Sequence, residues 1–213
     1  PPPPPNNINP PPPRQTLFPY MTLFRSPLRA EKHRKLNELK EFGYDPYPHN
    51  FVRTHVNSEI RDKHSGIEAG DKLKEEKVTI AGRLMSRRIQ GKASFAELQD
   101  SEGRIQVYFN RDEICPGEDK THYNDVYKKL LDIGDFIGIE GELFTTQVGE
   151  KTVMVKAFKL LSKTLKPLPQ PRVDADGNVH DAFNDPEQRY RQRYVDLVVN
   201  PHVKEIGRAS CRV

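Results

Sequence analysis

The sequence predicts a mainly β fold, namely a five-stranded barrel with flanking helices, preceded by an N-terminal helical segment. Between residues 77 and 162, five segments have the alternating or β-rich character of strands. A stretch with helical spacing of apolar residues separates the third segment from the fourth. The predicted fold depends on this order of three strands, one helix and two strands.

Composition limits the kinds of function to consider. The 213-residue chain is 35% hydrophobic and 30% charged, with a net charge of +4, which permits a modest core and is compatible with a polyanionic partner. We find no apolar run that could span a membrane and no signal peptide, so we expect a cytoplasmic protein without membrane association. Its two cysteines and seven histidines show neither a disulfide framework nor the spacing of metal ligands. The sequence therefore predicts no metal site.

Both ends of the chain are predicted to lie outside the fold. Residues 1 to 27 begin with PPPPPNNINPPPP, a composition that favours extended or disordered chain. The stretches TLFPYMTLFRS and EIGRASCRV resemble translated adapter sequence. We therefore expect residues 1 to 27 and 205 to 213 to be disordered or foreign to the native protein.

Residues 28 to 75 are predicted to form a helical extension. Leu28, Leu36 and Leu39 give it a sparse apolar stripe, and Gly43 can end the helix. The predicted outer face is strongly basic, which fits either a helix that follows phosphates or a merely solvated surface. That face carries Arg29, Lys32, Arg34, Lys35 and Lys40.

The barrel is predicted over residues 76 to 162. Its strands are expected at residues 77 to 89, 92 to 99, 103 to 110, 135 to 146 and 151 to 162. The intervening helix has an apolar stripe of Tyr123, Val126, Tyr127, Leu130 and Leu131. This order of elements is expected of an OB-type barrel, a fold whose second and third strands carry the ligand face.

Alternation along the second and third strands predicts an aromatic ring on the outer surface. If Gln99 is the last paired residue before the turn at residues 100 to 103, Phe95 lies opposite Tyr108. Gln106 is then diagonal to Phe95 on the same face. The inward set consists of Ala96, Leu98, Ile105, Val107 and Phe109. Phe95 is therefore expected on the surface where this barrel binds single-stranded nucleic acid.

An exposed ring, an amide and a cation together suit an unstacked nucleobase. Any base has a π face, so Phe95 can stack on it without identifying it. The Gln106 amide carries donors and acceptors for the edge of the base, and Arg88 supplies charge to a phosphate or a second base edge. A lone surface aromatic is also common in proteins without such a function.

The rest of the chain is predicted to be a linker followed by the start of a further domain. Residues 163 to 187 are proline-rich and polar, as in an interdomain linker. Residues 188 to 204 begin a helix with a stripe of Tyr190, Tyr194, Leu197 and Val198. We expect this helix to be the first element of a domain that is missing from this chain.

Several separated segments resemble one family. The stretches RKLNELKEFGYDPYP, RLMSRRIQGKASFAELQDSEGRIQVYF, LKPLP and RYRQRYVDL are similar, in this order, to segments of the bacterial-type class II lysyl-tRNA synthetases. The likeness covers residues 28 to 204. It implies the N-terminal anticodon-binding portion of such an enzyme, truncated before the catalytic motifs, with residues 188 to 204 opening the catalytic domain.

The resemblance implies roles for particular residues. In the family an aromatic ring stacks on the middle base of the anticodon, a glutamine reads that base and an arginine lies nearby. By position, these roles fall on Phe95, Gln106 and Arg88. Contacts to the backbone of the anticodon loop are implied for Arg83, Arg87 and Lys92. A uridine-rich anticodon is implied as the ligand.

The resemblance also implies what the full-length parent does. The family attaches lysine to its tRNA with ATP and magnesium, on a catalytic domain that also builds a homodimer. This chain has no Walker-type phosphate loop and no nucleophile elbow. We therefore expect it to hold no cofactor and no catalytic residue, to lack ligase activity, and to have the anticodon loop of a tRNA as its partner.

Three alternatives stay open at this point. The aspartyl and asparaginyl synthetases resemble the chain in the barrel, although the YDPYP opening and the RYRQRYVDL close favour the lysyl family. A free-standing module for single-stranded nucleic acid needs only the barrel and the basic charge. An interaction module would use the exposed ring against a protein surface instead.

Overall fold

The structure, a computed structural model, describes residues 27–63, 72–169, 172–173, 179–180, 183–200, 202–203 and 205. The tails predicted at residues 1 to 27 and 205 to 213 lie outside these ranges, apart from Pro27 and Glu205. Within these ranges no helix combines the length and the apolar character needed to cross a membrane. The same residues contain no group of histidine, cysteine, aspartate or glutamate side chains that could hold a metal ion.

Five strands close into a barrel. They are β1 (Lys72–Gln90), β2 (Ala93–Gln99), β3 (Arg104–Asn110), β4 (Phe136–Thr145) and β5 (Lys151–Ser162). Their order around the barrel is β1-β2-β3-β5-β4, and every neighbouring pair is antiparallel except β3 with β5. The predicted five-stranded barrel is confirmed, and β1 begins at Lys72 rather than at residue 77.

The register of β2 and β3 determines which side chains face the barrel core. Gln99 pairs with Arg104 and Phe95 pairs with Tyr108, as the alternation predicts. The whole predicted inward set is buried, namely Ala96, Leu98, Ile105, Val107 and Phe109. Because side chains alternate between the two faces of a strand, Phe95 and Gln106 lie on the outer face.

A helix with π-type turns, His122–Leu130, packs on the barrel core. Its predicted apolar stripe is buried, namely Tyr123, Val126, Tyr127, Leu130 and Leu131. The Tyr127 ring stacks on Phe109 with centroids 4.1 Å apart, and its hydroxyl accepts a hydrogen bond from Ser94 Oγ at 2.8 Å. A short helix that the sequence analysis missed, α3 (Arg111–Ile114), precedes it and is capped by the side chain of Asn110.

Two helices, α1 (Pro27–Glu41) and α2 (Asn57–Lys63), precede the barrel. Leu36 and Leu39 of the predicted stripe are buried, but Leu28 is exposed, so the stripe is wrong at its first residue. Gly43 adopts a left-handed conformation with a φ of 80°, and its amide donates to the carbonyl of Lys40. This glycine ends the helix as predicted, because a residue with a Cβ rarely adopts that conformation.

The predicted basic outer face of α1 is wrong for two of its lysines. Lys35 Nζ donates to Asp132 Oδ1 at 2.6 Å, and Lys32 Nζ lies 3.8 Å from Asp132 Oδ2. Arg34 is paired with glutamates of its own helix. The two inward lysines pair with the Asp132 carboxylate, so they are not available to follow a phosphate backbone.

A buried charge cluster joins α1, the segment before β4 and the end of β5. The Lys163 side chain is fully buried, and its Nζ donates to Asp132 Oδ2 at 2.7 Å, Asp135 Oδ2 at 2.7 Å and the Leu130 carbonyl at 2.8 Å. These three bonds use all three protons of the ammonium group. Asp135 Oδ1 also accepts from the amide of Thr164, so the cluster anchors the chain as it leaves the barrel.

Asp132 is expected to make stability depend on pH in the acid range. Burial raises the pKa of Asp132, but hydrogen bonds from Lys163 and Lys35 outweigh burial and hold the pKa below its usual value of 3.8. A depressed carboxyl pKa stabilises the fold above the unfolded-state value, and this stabilisation is lost as the pH falls through the folded-state value. Urea unfolding from about pH 5 downward should therefore show falling stability, with a shallower decline for Asp132→Asn. An equally steep decline for that variant would contradict this assignment.

The C-terminal part contains elements that the sequence analysis did not predict. The linker contains two short paired strands, β6 (Arg172–Val173) and β7 (Val179–His180). The helix is broken at Gln192 into α4 (Pro186–Arg191) and α5 (Arg193–Val199). Tyr190 and Tyr194 of the predicted stripe are exposed, whereas Asp196 is fully buried. The carboxylate of Asp196 accepts hydrogen bonds from Arg189, Arg193 and Asn200, and these bonds satisfy the buried charge.

Candidate nucleic-acid interface

A cleft of about 310 Å³ lies on the outer surface of β1, β2 and β3. Arg88 of β1, Phe95 of β2 and Gln106 of β3 all line it. The turn between β4 and β5 forms its other wall, where Val148 is almost completely exposed. The structure therefore brings Arg88 to the face on which the sequence analysis placed Phe95 and Gln106.

Phe95 lies at the centre of a cross-strand row. It pairs with Arg88 on β1 and with Tyr108 on β3. The Phe95 and Tyr108 ring centroids are 5.0 Å apart at an interplanar angle of 50°, and Tyr108 makes an edge contact with Phe144 at 6.0 Å. These contacts hold the half-buried Phe95 ring in place beside the cleft. An aromatic side chain that is already ordered loses little entropy when a base stacks on it.

The Gln106 amide is oriented by a neighbouring strand. Gln106 pairs with Thr152 in the parallel ladder between β3 and β5, and Thr152 Oγ1 donates to Gln106 Oε1 at 2.7 Å. Within the described part of the chain, the amide nitrogen donates no hydrogen bond. Since the oxygen already accepts a bond, Gln106 presents its two N–H donors to a ligand. Sequence reasoning missed Thr152, because no local pattern shows that β5 lies beside β3.

Arg88 supplies an exposed positive charge at the cleft. Among the residues that the structure describes, its guanidinium has no hydrogen-bond or ion-pair partner. Two carboxylates, those of Glu97 and Glu150, also line the cleft. The site therefore combines a stacking surface, N–H donors, carboxylate acceptors and one free cation. This combination can hold a nucleobase and contact its backbone.

The other three predicted contacts lie outside this cleft. Arg83 donates to the backbone carbonyl of Gly134 at 3.0 Å. The Arg83 Cζ atom lies 4.2 Å from the Phe136 ring centroid. Burial lowers the pKa of the Arg83 guanidinium. Arg87 donates to the carbonyl of Tyr127, and its Cζ is 5.5 Å from that ring centroid. Lys92 is exposed in the turn between β1 and β2. Arg83 therefore joins β1 to the start of β4, and Arg87 joins β1 to the helix His122–Leu130.

The barrel and the position of the cleft are typical of a nucleic-acid-binding OB domain. Residues 78–161 match a family model described as an OB-fold nucleic acid binding domain of the tRNA anticodon type. This part of the chain is thus an anticodon-binding OB domain. The chain matches the N-terminal region of lysyl-tRNA synthetases, so the resemblance seen in the sequence is confirmed.

The chain is similar to several lysine–tRNA ligases. The chain is 68% identical over 173 residues to a lysine–tRNA ligase of Christiangramia forsetii. This match covers 81% of the chain and 29% of the relative. It is 54% identical over 176 residues to the lysine–tRNA ligase of Porphyromonas gingivalis, covering 82% of this chain and 30% of the relative. The lysine–tRNA ligase of Azobacteroides pseudotrichonymphae is 51% identical over 176 residues, with 82% and 34% covered. The chain spans about a third of the length of these relatives.

Proposed function

We propose that this chain recognises the anticodon loop of a lysine tRNA, as the N-terminal part of a lysyl-tRNA synthetase. The observation that supports this proposal is the single cleft shared by Arg88, Phe95 and Gln106. The middle base of the anticodon leaves its stack and packs on the Phe95 ring, while Arg88 binds an adjacent phosphate or base edge. Lys92, exposed in its turn, is a further proposed contact to the backbone of the loop.

The orientation of Gln106 favours a base with carbonyl groups on its edge. Thr152 uses the amide oxygen, so the amide nitrogen is the group that remains for the base. Uridine offers an oxygen at position 4, whereas cytidine carries an amino group there, and two donors facing each other cannot form a hydrogen bond. The cleft therefore prefers uridine over cytidine at the middle position of the anticodon.

The proposal extends to the whole protein of which this chain is a part. That protein attaches lysine to its tRNA with ATP and magnesium, forms a homodimer and works in the cytoplasm. The lysine–tRNA ligase names of the three relatives support the ligase activity. They also favour the lysyl branch over the aspartyl and asparaginyl branches.

A binding experiment with RNA stem-loops tests the proposed function. The affinity of the chain is measured at one fixed salt concentration, because phosphate contacts make affinity depend on salt. We expect tighter binding to a stem-loop with a UUU triplet than to loops with cytidine at the middle position or to a polyuridine strand. Equal affinity for the loop and the strand would favour a free-standing single-strand-binding module. Insensitivity to the third base of the triplet would argue against lysine specificity.

Gln106→Leu is expected to reduce the preference for uridine while leaving stacking in place. The substitution keeps the volume of the side chain but removes the N–H donors, and one hydrogen bond contributes about 0.5 to 1.5 kcal/mol. The ratio of affinities for loops with uridine and with cytidine at the middle position should therefore fall by up to about tenfold. Gln99→Leu, on the same face but at the end of β2, serves as the control. An unchanged ratio in Gln106→Leu would exclude this residue as the reader of the base.

A further inference from the structure

A second concave surface adjoins the base cleft. This flanking pocket, of about 480 Å³, shares Glu97, Gln106 and Glu150 with the cleft. Its other side chains include three cations from different elements, namely Arg61 of α2, Arg104 of β3 and Lys151 of β5. A ligand that fills the cleft and continues along the barrel surface must therefore pass these cations.

Two of the three cations have no carboxylate partner among the residues that the structure describes. The Arg61 guanidinium occupies the space beside Gly103, where a side chain on that residue would meet its Nη2. The ammonium group of Lys151 donates to the backbone carbonyl of Arg61. In the described ranges, neither Arg61 nor Lys151 forms an ion pair. Both positive charges therefore remain available for an anion.

The carboxylates of the flanking pocket limit where an anion can bind. Arg104 Nη1 lies 3.6 Å from Glu97 Oε2 and shares its charge with that residue. Asp62 and Glu150 also line the pocket. These carboxylates repel an anion, and Arg61 and Lys151 are, among the described residues, the two cations of the pocket that can attract one without an ion-pair partner of their own.

We propose that Arg61 and Lys151 bind the backbone phosphate of the nucleotide next to the one that stacks on Phe95. This inference rests on the proposed function, because the flanking pocket is reached by the strand that leaves the base cleft. Charge-assisted hydrogen bonds from a guanidinium and an ammonium group are strong contacts for a phosphate. They fix the direction of the strand without reading its sequence.

The salt dependence of RNA binding by the 213-residue chain tests this phosphate site. We expect the double variant Arg61→Gln, Lys151→Gln to reduce the slope of log affinity against log salt by about 0.7 for each phosphate contact that is lost. The preference for uridine over cytidine should not change, because the base contacts are intact. Arg61→Lys with Lys151→Arg keeps the charges and should restore the slope. The control is Lys40→Gln with Lys159→Gln, which removes the same net charge at exposed positions outside both surfaces.

A substitution that removes a negative charge from the flanking pocket, instead of a positive one, is a second test of the phosphate site. Asp62 lines only the flanking pocket and not the base cleft, so Asp62→Asn should tighten binding at low salt by removing repulsion. Unchanged slopes in the double variant, or an equal decrease in the control pair, would overturn the phosphate site. If the double variant loses its melting transition, the slope of log affinity against log salt is measured for the single variant Arg61→Gln instead, and it should also be reduced. Failure of the unaltered chain to bind the stem-loop would instead overturn the proposed function.

Discussion

Lys163→Met is expected to lower the free energy of unfolding by about 3 to 5 kcal/mol. The substitution keeps the length of the side chain but leaves the Asp135 carboxylate, which is fully buried, without its cation. Asp132 retains Lys35 at 2.6 Å, so the loss falls mainly on Asp135. An unpaired buried charge has no water to solvate it, which makes its burial costly. Urea unfolding near neutral pH measures the effect.

Two comparisons separate this effect from a general loss of charge. Lys156→Met breaks an ion pair with Glu113 that is well exposed to solvent, and its cost should be within about 1 kcal/mol. Adding Asp135→Asn to Lys163→Met removes the unpaired charge and should restore part of the lost stability. A cost for Lys163→Met no larger than that for Lys156→Met would show that the cluster does not stabilise the fold.

Phe95→Ala is expected to weaken binding to the UUU stem-loop by about 1 to 3 kcal/mol, because it removes the stacking surface for the base. This corresponds to roughly fivefold to 150-fold in affinity. Phe95→Tyr retains a π face and should bind the stem-loop nearly as tightly as the unaltered chain. Phe95→Leu retains the bulk of the side chain but has no π face, so its affinity should be reduced. Titration at fixed salt with a labelled stem-loop measures all three variants.

The controls for Phe95 address folding and nonspecific contact. Phe42→Ala removes an exposed ring from the residue after α1, outside the cleft, and should leave the affinity unchanged. Phe95→Ala should keep a cooperative melting transition, because the ring is only half-buried and its loss leaves no closed cavity. If Phe95→Ala binds the stem-loop as tightly as the unaltered chain does, the base is not stacked at this position.

Much of the site could be predicted from the chain because its decisive information is local. The alternation of side chains along β2 and β3 has a period of two, and a short turn connects the strands, so few registers were compatible with the buried set. This was enough to place Phe95 opposite Tyr108 and on the same side as Gln106. Placing Arg88 on this face required one further strand, β1, which pairs with β2 and is joined to it by another short turn.

The sequence alone could not show which positively charged residues are free to bind a ligand and which are engaged within the fold. Arg83 and Arg87 are as basic as Arg88, yet the first stacks on Phe136 and the second binds Tyr127, and only Arg88 lines the cleft. The lysines of α1 were expected on an outer face, but Lys32 and Lys35 turn inward to Asp132. Whether a cation is free depends on carboxylates and rings that are distant in the chain, so no local pattern could show it.

The sequence by itself determined the strands, the register of the central hairpin and the outward direction of the stacking ring. Only the tertiary structure decided that Thr152 orients Gln106, that Lys163 is buried between two aspartates, and that Arg61 and Lys151 lie beside the base cleft. The physical reason is the range of the interactions. Alternation and turns act between near neighbours, whereas the parallel pairing of β3 with β5 and the buried ion pairs join residues that meet only when the barrel closes.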